Sequence, residues 1–324
     1  AEPYYDRMVG SIVKNAPGLK GLICVGESCG FPKRDGTGAG FNTFAPVLDW
    51  VPWLELVTKV TRKWNPDFDV VFWTYNWARW PEKERLALLE AIPTNVSVHV
   101  TFEMGNVPRN LKGIRWSVDD YSITDPGPSP TFTGEAAVVR RRGIRLTAMS
   151  NTGGRTWDFG GMPYEPVPYR WLERFRALRA AQETYGLSGL MDSHHYGFTP
   201  NLCSDVAKRA FTREVSDAEL ASCVDEVVAR DFGAAAVPTV TAALRDWSAA
   251  MEWHSALTHD QWGVLRVGST YPFVPLGAEI PKAPPCVEGE RGVGEGWLYV
   301  SPKAGLAWGQ GATVKDLPAY IEIS

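Results

Sequence analysis

The chain has few cysteines, no long apolar run and no block of one charge, and each lack removes a class of protein. Five cysteines, Cys24, Cys29, Cys203, Cys223 and Cys286, are scattered through 324 residues. They make no CxxC pair and no zinc-ribbon spacing, and they are too few for a disulfide framework. The odd count fits a reducing compartment such as the cytoplasm and does not exclude secretion. The apolar stretches stay far below the roughly 20 residues that a membrane-spanning helix needs, and the first residues show no signal-peptide pattern. Lys plus Arg number 33 against 37 Asp plus Glu, a net charge of −4, and the longest basic run is Arg140-Arg141-Arg142. That balance offers no matching surface to nucleic acid or to an anionic membrane. No internal repeat and no low-complexity segment is present. The Gly-rich stretch GFPKRDGTGAGFNTF after Cys29 lacks both GK[ST] and the Rossmann pattern, so no nucleotide cofactor is expected.

Aromatic residues are plentiful instead, with 14 Trp, 11 Tyr and 13 Phe. Trp joins a flat apolar face to one N–H donor, which suits a sugar ring or another flat ligand and suits a protein core equally well. Apolar runs alternate with helical patterns along the first 200 residues. KGLICVGESCG at 20–30, VVFWTYNW at 70–77, VSVHVTFEMG at 96–105, GIRLTAMSNTGG at 143–154 and GLSGLMDSHHYG at 186–197 read as strands turning polar at their carboxyl ends. Between them, residues 3–15, 46–64, 81–92, 136–142 and 168–184 read as helices. Tyr4, Met8, Ile12 and Val13 share a face in the first. Pro81 and the acids of the first turn open the third.

Strand-helix alternation implies an α/β fold with parallel crossovers. Five strand units are too few for a closed (β/α)8 barrel, and a helix leads into the first strand. The expectation is therefore a TIM-barrel-like region over 1–200 supplying strands four to eight, completed by a further polypeptide segment or chain. The rival is an open five-stranded sheet. Beyond Pro200 the pattern turns helical. Asn201 caps NLCSDVAKRAF, Ser216 and Glu219 make a capping box, and 201–258 reads as a helical region. Residues 259–324 carry only weak strand signals and stay unassigned.

Glycosidic bonds are cleaved by two groups, usually carboxyls, one protonating the leaving oxygen and the other acting as base or nucleophile. Glu27 ends the first strand between glycines and a cysteine, where partial desolvation raises a carboxyl toward the pKa of a general acid. The plain alternative is a carboxylate that caps a helix or pairs with Arg34. Glu103 and Asp192 follow later strands and are the candidates for the second carboxyl, with Asp158, Asp119 and Asp120 behind them. A buried Glu103 bonded to an Arg or a His is the competing reading. Trp73, Tyr75, Asn76, Trp77, Trp157, Asp158, His194, His195 and Tyr196 are the candidate substrate contacts. Trp73 and Tyr75 share one face of their strand and serve either a subsite wall or the interior. His194 and His195 point to opposite faces of an extended chain, so no shared metal is expected. Ser28 and Cys29 lack the GxSxG or Cys/His setting of a nucleophile.

GLKGLICVGES, VVFWTYNW, VTFEMG and GLMDSHHYGFTPNLCSDVAKRAF, with the helical region ending in RDFG, occur in an order that resembles the catalytic half of bacterial glycosidase-type proteins. These are related to family 20 hexosaminidases and family 67 α-glucuronidases, and carry a barrel followed by a helical domain. The resemblance covers about residues 1–257. It implies a glycoside hydrolase acting on an oligosaccharide or glycoside, with the general acid after the fourth barrel strand at the position of Glu27. The hexosaminidase Asp-Glu pair is absent because Gly26 precedes Glu27. The inverting, glucuronidase-like arrangement fits Glu103 or Asp192 better. A non-catalytic glycan-binding protein on the same scaffold and a metal-dependent hydrolase using His194 and His195 are the alternatives.

Overall fold

Five apolar runs form the strands of one sheet. The computed structural model describes residues 1–26, 46–75, 81–106, 122–150, 156, 158, 165–192, 201–212 and 215–253. Strands β1 (Gly21–Val25), β2 (Asp69–Trp73), β3 (Ser97–Thr101), β4 (Leu146–Met149) and β5 (Leu187–Met191) lie in the order β1-β2-β3-β4-β5. The register sets Cys24 opposite Phe72, Phe72 opposite Val98 and Val98 opposite Leu146, each pair of strands parallel. The protein is an α/β chain built on a parallel five-stranded sheet, as its alternating pattern implied. No helix among the described residues is long and apolar enough to cross a membrane.

The chain divides into two compact units. The first comprises Ala1–Phe102, Pro128–Met149 and Ala180–Leu190. Its sheet has two unlike faces because side chains alternate along a strand. One face is apolar: Val70, Phe72, Val98, Val100, Leu146 and Ala148 are all buried. Helices α3 (Pro46–Arg62), α4 (Glu82–Ala91) and α5 (Pro130–Arg141) pack side by side, α3 against β2 and α5 against β3 and β4. Trp50 of α3 stands 5.1 Å from Phe72, and Phe132 of α5 stands 4.8 Å from Phe102. Burying each of the rings of Phe72, Phe102 and Phe132 contributes roughly 1.5–3 kcal/mol.

The opposite face is polar and tied across the strands. Ser97 donates to Asp69 at 2.7 Å, Arg145 donates to the same carboxylate at 2.9 Å, and His99 Nδ1 meets Thr147 Oγ1 at 2.8 Å. The Trp73 indole N–H donates to Thr101 at 3.2 Å. Every residue of β3 is buried, so both faces of this central strand are covered.

Two helices differ from their expected form. Residues 2–15 run as α1 (Glu2–Tyr5), a π turn (Asp6–Gly10) and α2 (Ser11–Asn15). Ion pairs Lys59–Glu2 and Lys63–Asp6 hold this segment to α3, while Tyr4, Met8 and Ile12 stay exposed and only Val13 of the expected apolar face is buried. Helix α5 begins at Pro130, six residues before its expected start. Ser129 Oγ accepts from Phe132 N at 3.1 Å, and Pro130, which has no N–H to lose, takes the first helical position. At the turn into β5, Gly186 holds φ +71°, and a Cβ there would meet Arg140 Nη1 at 2.6 Å.

The second unit comprises Glu103–Gly127, Ser150–Arg179 and Met191–Ser324. Its described helices are the first part of α6 (Pro168–Tyr185), then α7 (Leu202–Thr212), α8 (Asp217–Phe232) and α9 (Val237–Ala250). Asn201 Oδ1 accepts from Ser204 N at 3.0 Å, and Ser216 with Glu219 forms the capping box that the sequence announced. Leu202, Val206, Leu220, Val224 and Val228 close the core of α7 and α8. Residues 259–324 lie outside the described residues.

Candidate functional site

Three strand exits, those after β3, β4 and β5, belong to the second unit and carry Glu103, Ser150 and Asp192 in turn. Glu103 is fully enclosed, and Arg174 Nη1 lies 3.4 Å from its Oε2. Arg174, equally enclosed on α6, also donates to the carbonyls of Ser150 at 3.0 Å, Ser122 at 2.6 Å and Asp125 at 2.8 Å. One guanidinium therefore fastens two separate segments, 122–125 and the exit of β4, and Glu103 supplies its countercharge. Arg170, one turn earlier, donates to Thr124 O at 2.6 Å and to Glu173 at 2.5 Å. Planar, permanently charged guanidinium suits this multi-carbonyl role where a lysine would not.

A second polar cluster joins Asp158, Thr156 and Glu165, all buried. Asp158 accepts from Ser122 Oγ at 2.9 and 3.2 Å, from Ile123 N at 2.6 Å and from Thr156 Oγ1 at 3.1 Å. Thr156 Oγ1 also stands 2.9 Å from Glu165 Oε1, which accepts the Thr156 N–H as well. A hydroxyl has one proton to give. If it goes to Asp158, the contact with Glu165 needs a proton on Glu165. Burial pushes the Glu165 carboxyl up to about 8, against the hydrogen bonds from Thr156 that lower it and with the charge of Asp158 adding to the rise. Of the two acids in this cluster, Glu165 is thus the one that burial favours in its protonated form. The Cys203 thiol donates to the Glu165 carbonyl at 3.4 Å; burial, with Glu165 beside it, holds its pKa well above the ordinary value, so it is an unreactive core thiol.

Of the expected site residues, Asp192 is exposed directly after β5, and Asp158 and Glu103 are interior. Trp73 and Tyr75, in the first unit, are buried with their rings 4.9 Å apart, and Trp73 also stands 5.1 Å from His99. Of the two roles open to Trp73, its surroundings are those of an interior side chain. Glu27, Asn76, Trp77, Trp157, His194, His195 and Tyr196 lie outside the described residues, as do Asp119 and Asp120. Next to Tyr75, Thr74 Oγ1 donates to Glu135 at 2.7 Å, and Arg85 closes an ion pair with Glu135 at 2.6 Å in the interior of the first unit. Burial raises the Glu135 carboxyl and Arg85 counters it.

Arg174 and Thr156 are not among the residues that the sequence singles out. Arg170 and Arg174 stand four apart on α6 among Trp171, Leu172 and Phe175, and cations set inside an apolar stripe are the signal that was available. Among the described residues, no group of three His, Cys, Asp or Glu side chains is placed to hold a metal ion. The chain matches no family model, no curated protein and no solved structure in comparisons with known proteins.

Proposed function

We propose that the protein is a glycoside hydrolase that cleaves its substrate by carboxylate general acid/base catalysis at the carboxyl ends of a barrel-type parallel sheet. The winding supports a barrel. Strands added in unbroken order, with helices α3, α4 and α5 packed in sequence, lack the reversal that marks the crevice of a doubly wound sheet. The polar row on the other face, Asp69, Ser97, His99, Thr101 and Thr147, suits an enclosed interior.

The observation that carries the reading is the gathering of the three exits after β3, β4 and β5 in one compact unit, which brings Glu103, Asp158, Glu165 and Asp192 into it. Ligand sites of parallel α/β sheets form at the carboxyl ends of strands. Glu27, at the end of β1, is assigned as general acid. Asp192 is the better second carboxyl, because it is open to water and substrate whereas Glu103 is enclosed against Arg174. Trp77, Trp157 and Tyr196 are assigned as sugar platforms, with Asn76, His194 and His195 as polar contacts. The substrate is an oligosaccharide or glycoside, and the reaction requires no cofactor.

A panel of aryl glycosides tests the reading on the longest polypeptide that carries this sequence. Turnover of at least one member, reduced about a thousandfold or more by Asp192→Asn, is expected. Binding of glycans without turnover of any member would move the protein to the glycan-binding class. Activity abolished by a chelator would move it to the metal-dependent hydrolases.

A further inference from the structure

Helix α9 carries more apolar surface than the described residues around it cover. Thr241, Leu244 and Ser248, with Met251 just past the last turn, are spaced by three and four residues and form its buried side. That side packs on α8. It also meets the first turn of α6, where Ser248 Oγ accepts from Tyr169 N at 3.3 Å and the Arg245 guanidinium lies 4.2 Å from the centre of the Tyr169 ring.

A second row lies beside the first. Val240, Ala243, Trp247 and Ala250 repeat the same spacing one residue earlier in each turn. Val240 is half-buried, Ala243 and Ala250 are exposed, and Trp247 is 55% exposed. Successive helical residues are about 100° apart, so the two rows join into one apolar arc of about half the circumference. Half of that arc is covered. The charges between 237 and 253 are Arg245, Asp246 and Glu252, and all three fall outside it. A helix apolar around so much of its girth is suited to a buried place, not to one side of a surface.

Residues 254–324 are the occupant that the chain itself supplies. They follow Trp253 directly and fall in the same compact unit as α9. The helix is about 21 Å long at 1.5 Å per residue, a distance that about seven extended residues span, so the first dozen residues past Trp253 already reach every turn of it. Composition sets the segment apart from a solvated tail. Trp262, Phe273, Trp297, Tyr299, Trp308 and Tyr320 lie in it, and GVLRV at 263–267, WLYV at 297–300 and YIEI at 320–323 are rich in apolar side chains. Segments that stay in water are poor in aromatic and β-branched residues. Tethering favours this occupant further, because a surface joined to its partner by a short linker meets it at an effective concentration of the order of millimolar. We propose that residues 254–324 fold back onto α9 and cover Val240, Ala243, Trp247 and Ala250 with apolar side chains of their own. This docking rests on packing and connectivity and is independent of the glycosidase reading.

Amide hydrogen exchange and photo-crosslinking test it on the full 324-residue chain. A set of amides within 254–324 is expected to exchange at least about a hundredfold more slowly than unstructured peptide, independent of protein concentration. Trp247→Glu is expected to speed those amides by at least about tenfold while the amides of α7 and α8 keep their rates. A benzoylphenylalanine in place of Ala243, with Trp247 retained, is expected to crosslink to a peptide from 254–324 of the same chain. Fast exchange throughout 254–324 overturns the proposal, as do slow amides there that Trp247→Glu leaves unchanged. A crosslink to any other part of the chain overturns it independently of the Trp247 variant. Crosslinks between chains, with protection that rises with concentration, assign the row to a second copy and overturn it too.

Discussion

Replacing Glu165 by Gln tests whether burial beside Asp158 keeps a proton on Glu165. The ordinary carboxyl value is 4.5, and burial beside Asp158 brings Glu165 to about 8. Between those two values the folded protein holds a proton that the unfolded chain has released. This group therefore lowers stability as pH rises, by about 1.4 kcal/mol per pH unit and on the order of 4–5 kcal/mol across the window. Its favourable contribution is complete below pH 4.5 and is lost as pH passes 8. Gln is isosteric with the protonated acid and does not titrate. At pH 5 the variant is expected within about 1 kcal/mol of the parent, because its carbonyl oxygen still accepts the Thr156 backbone N–H. By pH 8.5 it is expected to be the more stable protein by several kcal/mol. Urea unfolding of both proteins at half-unit steps from pH 5 to 8.5 gives the difference directly. Two parallel stability curves would show Glu165 ionised throughout, and the proton assignment would be refuted.

Arg174→Met leaves Glu103 without its guanidinium in a fully enclosed place and is expected to cost about 3–5 kcal/mol in urea unfolding. Adding Glu103→Leu to it removes the stranded charge and is expected to recover part of that loss; a double variant worse than the single one would contradict the pairing. Ser129→Ala removes the cap on α5 and is expected to cost about 1 kcal/mol, while the same change at Ser11, whose hydroxyl donates to the Arg7 and Met8 carbonyls and caps no helix, costs less, both read as urea midpoints.

The sheet was legible because strands buried in a parallel sheet read as apolar runs, and all five runs became strands at their expected places. The start of α5 was missed because DPGPSP looks like a turn until Ser129 and Pro130 are recognised as cap and first helical residue. Segment 2–15 was legible as a helix, but its π turn and the side it buries depend on α3 and the turn after it, which supply Lys59 and Lys63. The candidate site was less legible for the same reason. Glu103 stood out as a carboxyl ending an apolar strand, yet whether it serves chemistry or a buried ion pair depends on Arg174, 71 positions later in the sequence. Asp158 and Glu165 were visible as acids in an aromatic loop. The sharing of one hydroxyl between them is a tertiary fact that no local pattern encodes.

The central claim is that the carboxyl at the end of β1 delivers a proton to a glycosidic oxygen. Its most direct test is kcat for the best aryl glycoside with Glu27→Gln in the longest polypeptide that carries this sequence. The account predicts loss of about 10³-fold or more for a substrate with a poor leaving group, with Tm shifted by less than about 1 °C. A Glu27→Gln variant that keeps full activity would contradict it.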